Sequence, residues 1–182
     1  MNILNGTSLV GTYNINPNCP VIYIEDQVWL EGQVEGKVTL AAADVDTAGV
    51  NPSIILNNNI TYVTPDSGLL AVGEYDVLVG LVVPNNMILN GIFIAQTGRF
   101  GRNFYNTSMP NAWEQYIIRN SLTINGTVVS YNRAANTYFT NGAIVSGFTT
   151  RNTSYDTNQV LDPPPYTPIS SDVYTFFNWR QD

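Results

Sequence analysis

Across 182 residues the chain is 44% apolar but only 12% charged, and 7 basic against 14 acidic side chains leave a net charge of −7 with no histidine at all. This length suits one domain with a continuous core, and the negative balance argues against nucleic acid and anionic membrane surfaces as partners. Without histidine, Ser-His-Asp and Cys-His catalysis and histidine metal sites are excluded, and one cysteine, Cys19, allows neither an internal disulfide nor a Cys/His zinc framework.

Asn and Thr supply much of the polar cover, a bias that suits turns, β-faces and stacked side-chain ladders. Met1 to Gly6 carry no signal-peptide pattern, so any export signal or anchor is expected outside these residues. No apolar run approaches the ~20 residues that span a bilayer, and no direct membrane contact is expected. Cys19, beside Pro20, is expected as a buried or half-buried thiol.

In chain order, short apolar runs bounded by Gly, Asn or Pro predict strands at Val21 to Ile24, Val28 to Leu40, Ser53 to Val63, Val77 to Val83, Met87 to Ala95, Leu122 to Tyr131 and Ala143 to Thr150. One short helix is predicted over Asn111 to Asn120, with Asn111 as its cap, Glu114 in the first turn and Trp113 and Ile117 at i and i+4. A degenerate aliphatic-polar-Gly-x-apolar motif recurs at Gly32, Gly91, Gly126 and Gly147. The first interval is near three times ~20 residues and the last is 21, a usual coil length for a β-solenoid. The middle interval of 35 fits only if residues 97–120 form an external insertion. The alternative is a β-sandwich, whose short strands and regular turns look alike in sequence.

The run Val28-Trp29-Leu30-Glu31-Gly32-Gln33-Val34-Glu35-Gly36-Lys37-Val38-Thr39-Leu40-Ala41-Ala42 resembles the first coils of ectodomains in prepilin-like, PilX-type bacterial proteins. Gly91 to Tyr105, with Arg99 and Arg102, Leu122 to Ser130, and a closing Tyr155-Asp156, Pro163 to Pro168 and Trp179-Arg180 are similar to later blocks of that group. The resemblance implies an exported domain carried after an N-terminal prepilin helix and displayed on the cell surface or on a type IV pilus-like filament. That helix is absent from this sequence.

Repeat and resemblance together give an all-β, right-handed parallel β-solenoid: a single domain over 1–182 with one decorating helix and a Pro-rich capping tail at 161–182. The pairs Asp44/Asp46, Glu31/Glu35 and Glu74/Asp76 are the available carboxylates for glycosidase chemistry, and each is better explained by a turn or a wet strand face. Asp44, Asp46 and Gly49 fall short of a complete Ca²⁺ loop. Arg99, Arg102, Arg151 and Arg180 are expected to act as internal staples to carboxylates or loop carbonyls. Tyr105, Tyr116, Tyr131, Tyr138, Tyr155 and Tyr166 are expected in cross-strand packing and end caps, or else on an aromatic contact surface. Five Asn-x-Ser/Thr sequons, at Asn5, Asn59, Asn106, Asn125 and Asn152, fit export.

The functional expectation is a non-enzymatic structural or adhesion module, extracellular, without cofactor, whose partners are other pilus or surface proteins and glycans. The alternatives are a carboxylate-dependent polysaccharide-active enzyme and an appendage or phage spike domain.

Overall fold

The computed structural model describes residues 1–5, 8–46 and 49–168. A hairpin of β1 (Asn2–Asn5) and β2 (Ser8–Thr12) forms its own two-stranded sheet. The remaining strands are β3 (Val21–Ile24), β4 (Val28–Val34), β5 (Lys37–Ala42), β6 (Ile54–Tyr62), β7 (Gly68–Gly73), β8 (Val77–Val79), β9 (Asn86–Ala95), β10 (Phe100–Arg102), β11 (Ile118–Ser130), β12 (Thr137–Thr140) and β13 (Ala143–Ser154). They form one 11-stranded sheet, parallel throughout except for the antiparallel β12–β13 pair. That pairing departs from the β-sandwich alternative, whose strands run antiparallel.

Successive parallel partners are not evenly spaced. Val21 pairs with Thr39, Lys37 with Gly68, Leu70 with Ile92, Gly91 with Gly126 and Ile118 with Gly147, which are steps of 18, 31, 22, 35 and 29 residues. The expected ~20-residue period is therefore wrong for most steps. The 35-residue interval that seemed to break the repeat is a true in-register step, with Gly126 on Gly91. Gly147 pairs instead with Ile118, and Gly32 with Ile60, so the four motif glycines do not share one column. Loop length between strands is tolerated because each strand need only find its neighbour.

The core consists of ladders of like side chains. Val28, Ile54, Val77 and Phe100 succeed one another in register, as do Leu40, Ala71, Phe93 and Val128; all are buried except the partly buried Val128. β7, which the sequence reading passed over, is buried along nearly its whole length. A strand covered on both faces shows no alternation, and alternation is the signal that strand prediction reads.

Two short helices occur among the described residues, one more than expected: α1 (Asn111–Glu114) and α2 (Thr157–Leu161). α1 stops six residues short of the expected end, and Pro110, not Asn111, occupies its cap position without a side-chain bond. The reason lies in the sheet. Ile117 is buried, its carbonyl accepts from Gly147 N–H at 3.0 Å, and Ile118 starts β11, so ladder pairing overrides the helical spacing of Trp113 and Ile117. α2 is capped by Asp156, whose carboxylate accepts from Asn158 N–H.

Residues 97–120 do not all lie outside the sheet. Phe100–Arg102 form buried β10 beside β8, and the part that leaves the sheet is 103–117. Of the expected tail, residues 161–168 cross the outer face of β5 and β7: Lys37 pairs with Asp162, Thr39 Oγ1 donates to Pro165 O, and Tyr166 and Pro168 line a cleft with Val21, Ala41, Val72 and Ile94. Trp179 and Arg180 lie outside the described residues. No helix among the described residues is long and apolar enough to cross a membrane.

Candidate binding surface

Leu30, Leu56 and Val79 form an inward ladder, and the next position in register is Arg102. A cation thus takes a core site, 0% exposed. Burial pulls its guanidinium down to about 10, an effect that Tyr105 opposes. Arg102 donates to four main-chain carbonyls: Gly80 (3.3 Å), Leu81 (3.2 Å), Tyr116 (2.6 Å) and Ile117 (2.8 Å). The rings of Tyr105 and Phe148 flank it, 5.0 and 5.6 Å from their centroids. The planar fork suits this task, because one side chain can satisfy carbonyls on two separate segments. It fastens the loop 103–117 at both its start and its end.

Arg119 repeats the device, donating to Val83, Ile118 and Gln115 carbonyls, with the Tyr116 ring 4.9 Å away. Burial lowers its pKa too. The sequence reading did not single out Arg119; its signal was a lone cation after Ile117-Ile118, at a position that alternates inward.

Arg99 lies at the surface of the same region. Its guanidinium donates to Tyr138 Oη (3.2 Å) and Asn103 Oδ1 (2.7 Å), and Tyr138 in turn donates to Arg102 O at 2.7 Å. The Phe104 ring meets Tyr138 edge-on, 5.4 Å between centroids, and remains 50% exposed. Trp113 on α1 is 47% exposed. Tyr131, Tyr155 and Tyr166 are exposed, which fits the aromatic-surface alternative and not cross-strand packing, and so is Phe139, whereas Tyr105, Tyr116 and Tyr138 pack against arginines and rings. Burial raises the Tyr105 pKa. Arg151 is not a staple among the described residues: it stands exposed on β13.

Glu74, Asp44 and Asp76 serve the backbone, and Glu31 a neighbouring side chain. Glu74 accepts from Asp44 N–H at 2.8 Å, Asp44 from Asp46 N–H at 3.2 Å, Asp76 from Arg99 N–H at 2.7 Å, and Glu31 from Asn57 Nδ2 at 2.6 Å. No three acidic or thiol side chains converge on a common point among the described residues. Cys19 is exposed, not buried, because it closes a turn in which its N–H donates to Asn16 O. Other groups missed by sequence reasoning are Asn136 and Gln159, both buried, each with a side-chain oxygen that has no partner among the described residues.

In comparisons with protein-family models, curated proteins and solved structures, nothing matches the chain.

Proposed function

We propose that this chain is a right-handed parallel β-solenoid acting as a non-enzymatic display or adhesion module on a bacterial cell surface or type IV pilus-like filament, as its resemblance to prepilin-like, PilX-type ectodomains implies. The observation that carries this reading is the Arg102 clamp. It spends a buried cation on holding a surface loop to a parallel sheet, and that loop presents Phe104 and Trp113 to solvent. Rigid aromatic side chains offer contact area at low entropic cost, which suits recognition of glycans or surface proteins. Asp44, Glu74 and Asp76, three of the carboxylates that would drive polysaccharide cleavage, instead hold backbone amides.

A glycan array and a pull-down from a bacterial surface extract test the proposal, with Phe104→Ala and Trp113→Ala as variants. Binding weakened by either change, with Asp44→Asn/Asp46→Asn leaving it intact, is the expected result. Turnover in a polysaccharide panel that a single carboxylate substitution abolishes overturns the reading in favour of an enzyme.

A further inference from the structure

The two ends of the parallel stack are open and complementary. At the first end, β3 pairs only with β5 and β4 only with β6, so the outer edges of Val21–Ile24 and Val28–Val34 are unpaired among the described residues. At the last end, among the described residues, β11 beyond Asn125 pairs only with β9, and β13 beyond Gly147 only with β11. Residues 149–154 of β13 are exposed. Beside them is an open, mostly polar groove rimmed by Thr149 to Thr153, with the buried Leu122 and Ile124 at its base and Asn136, whose buried Oδ1 lacks a donor among the described residues, in its wall. Unpaired edges invite another strand, and every long pairing in this sheet is parallel.

Register shows what would meet. The columns run Val21, Thr39, Leu70, Ile92, Thr127 on one side and Gly32, Ile60, Leu89, Ile124, Thr153 on another. Continuing both by one step sets β3 of a second copy on Thr127 to Ser130 and Gly32 of its β4 on Thr153 of β13. Glu31, next to Gly32, then falls on Asn152, while Arg151 stays on the inward face with Leu122. The turn Glu25-Asp26 falls beside the turn that holds Arg133, since Asn132 and Ala135 stack on Gly98 and Gly101. Glu25, Asp26, Glu31 and Arg133, Arg151 are all exposed. The first end is acidic and the last end carries two of the chain's seven basic residues.

We propose that copies of this chain associate head to tail, β13 of one pairing in parallel with β4 of the next, with Arg133 facing the Glu25-Asp26 turn. The contact is heterologous and does not close, so it builds a row of copies. It rests on the display reading above and gives that module a partner, a second copy of itself.

Sedimentation velocity over about a hundredfold range of concentration tests it, since a mass-action row grows with protein concentration. The expected result is a mean mass that rises past the dimer. Arg133→Glu and Glu25→Arg should each weaken association by about tenfold, and the chain carrying both should recover it. All these side chains are exposed, so folding is preserved, and an Asn152→Pro edge block gives a second, charge-independent loss. A monomer at every concentration, a closed symmetric dimer, or charge reversal without recovery overturns the head-to-tail contact. If the glycan or surface-protein binding described above persists in that case, the display reading stands without it.

Discussion

Gly126 sits in register on Gly91 in the adjacent parallel strand, so close that a Cβ on Gly126 would lie well inside van der Waals contact with the Gly91 carbonyl oxygen. Its φ of +143° is also one that L side chains rarely adopt. Gly126→Ala should therefore cost roughly 3–4 kcal/mol, backbone strain and overpacking together. At Gly142, φ is +81° but nothing lies within 4 Å of an added Cβ, and Gly142→Ala should cost only about 1–2 kcal/mol. Urea unfolding of the two variants measures the difference, and equal costs would remove the close-approach argument.

The Arg102 clamp makes a second prediction. Arg102→Met keeps volume but removes a donor from four carbonyls, of which Leu81 and Ile117 keep a backbone one, and should destabilise by about 3–5 kcal/mol. Arg102→Lys should rescue little, because one ammonium cannot span carbonyls on both segments. Hydrogen exchange should quicken first across residues 103–117. Uniform quickening over the whole sheet would show that the clamp does not act locally.

The tail is expected to stabilise by coverage more than by charge. Removing residues 162–182 uncovers Leu70 and Thr39, which are buried, and should lower both the melting temperature and solubility. Lys37→Gln alone should change stability by under about 1 kcal/mol, since its partner Asp162 is 82% exposed. An unchanged melting temperature in the truncated chain would count against coverage.

Alkaline titration should reveal Tyr62. Burial pushes its hydroxyl up to about 12, although it also accepts from Leu69 N–H. A raised folded-state pKa contributes stability in full below pH 10, the ordinary value, and loses it as pH climbs towards 12. With allowance for its partial exposure, the loss is roughly 1–2 kcal/mol. Melts followed between these pH values should slope downward, and Tyr62→Phe should flatten that slope. The same slope in the variant would assign the effect elsewhere.

From sequence alone, the mostly β character and the strands at Val21–Ile24, Ile54–Tyr62 and Asn86–Ala95 were legible, because alternation and flanking turn residues are local signals. The run Val28 to Leu40 reads as one strand, yet Gly36 at φ +72° breaks it into β4 and β5. The Asp44 bond to Asp46 N–H is likewise local, whereas Glu74 and Asp76 hold the amides of Asp44 and Arg99, which only the stacked strands bring near. The tertiary structure alone decided which residues stack. Parallel strands are joined by connections of any length, so the 35-residue step between Gly91 and Gly126 leaves no periodic trace, while the tidy 21-residue interval from Gly126 to Gly147 is a coincidence of spacing. The same holds for Arg102. Its type is visible in the sequence, but its place on the Leu30, Leu56, Val79 ladder exists only once three distant segments are in register, and only there do four carbonyls converge on one guanidinium.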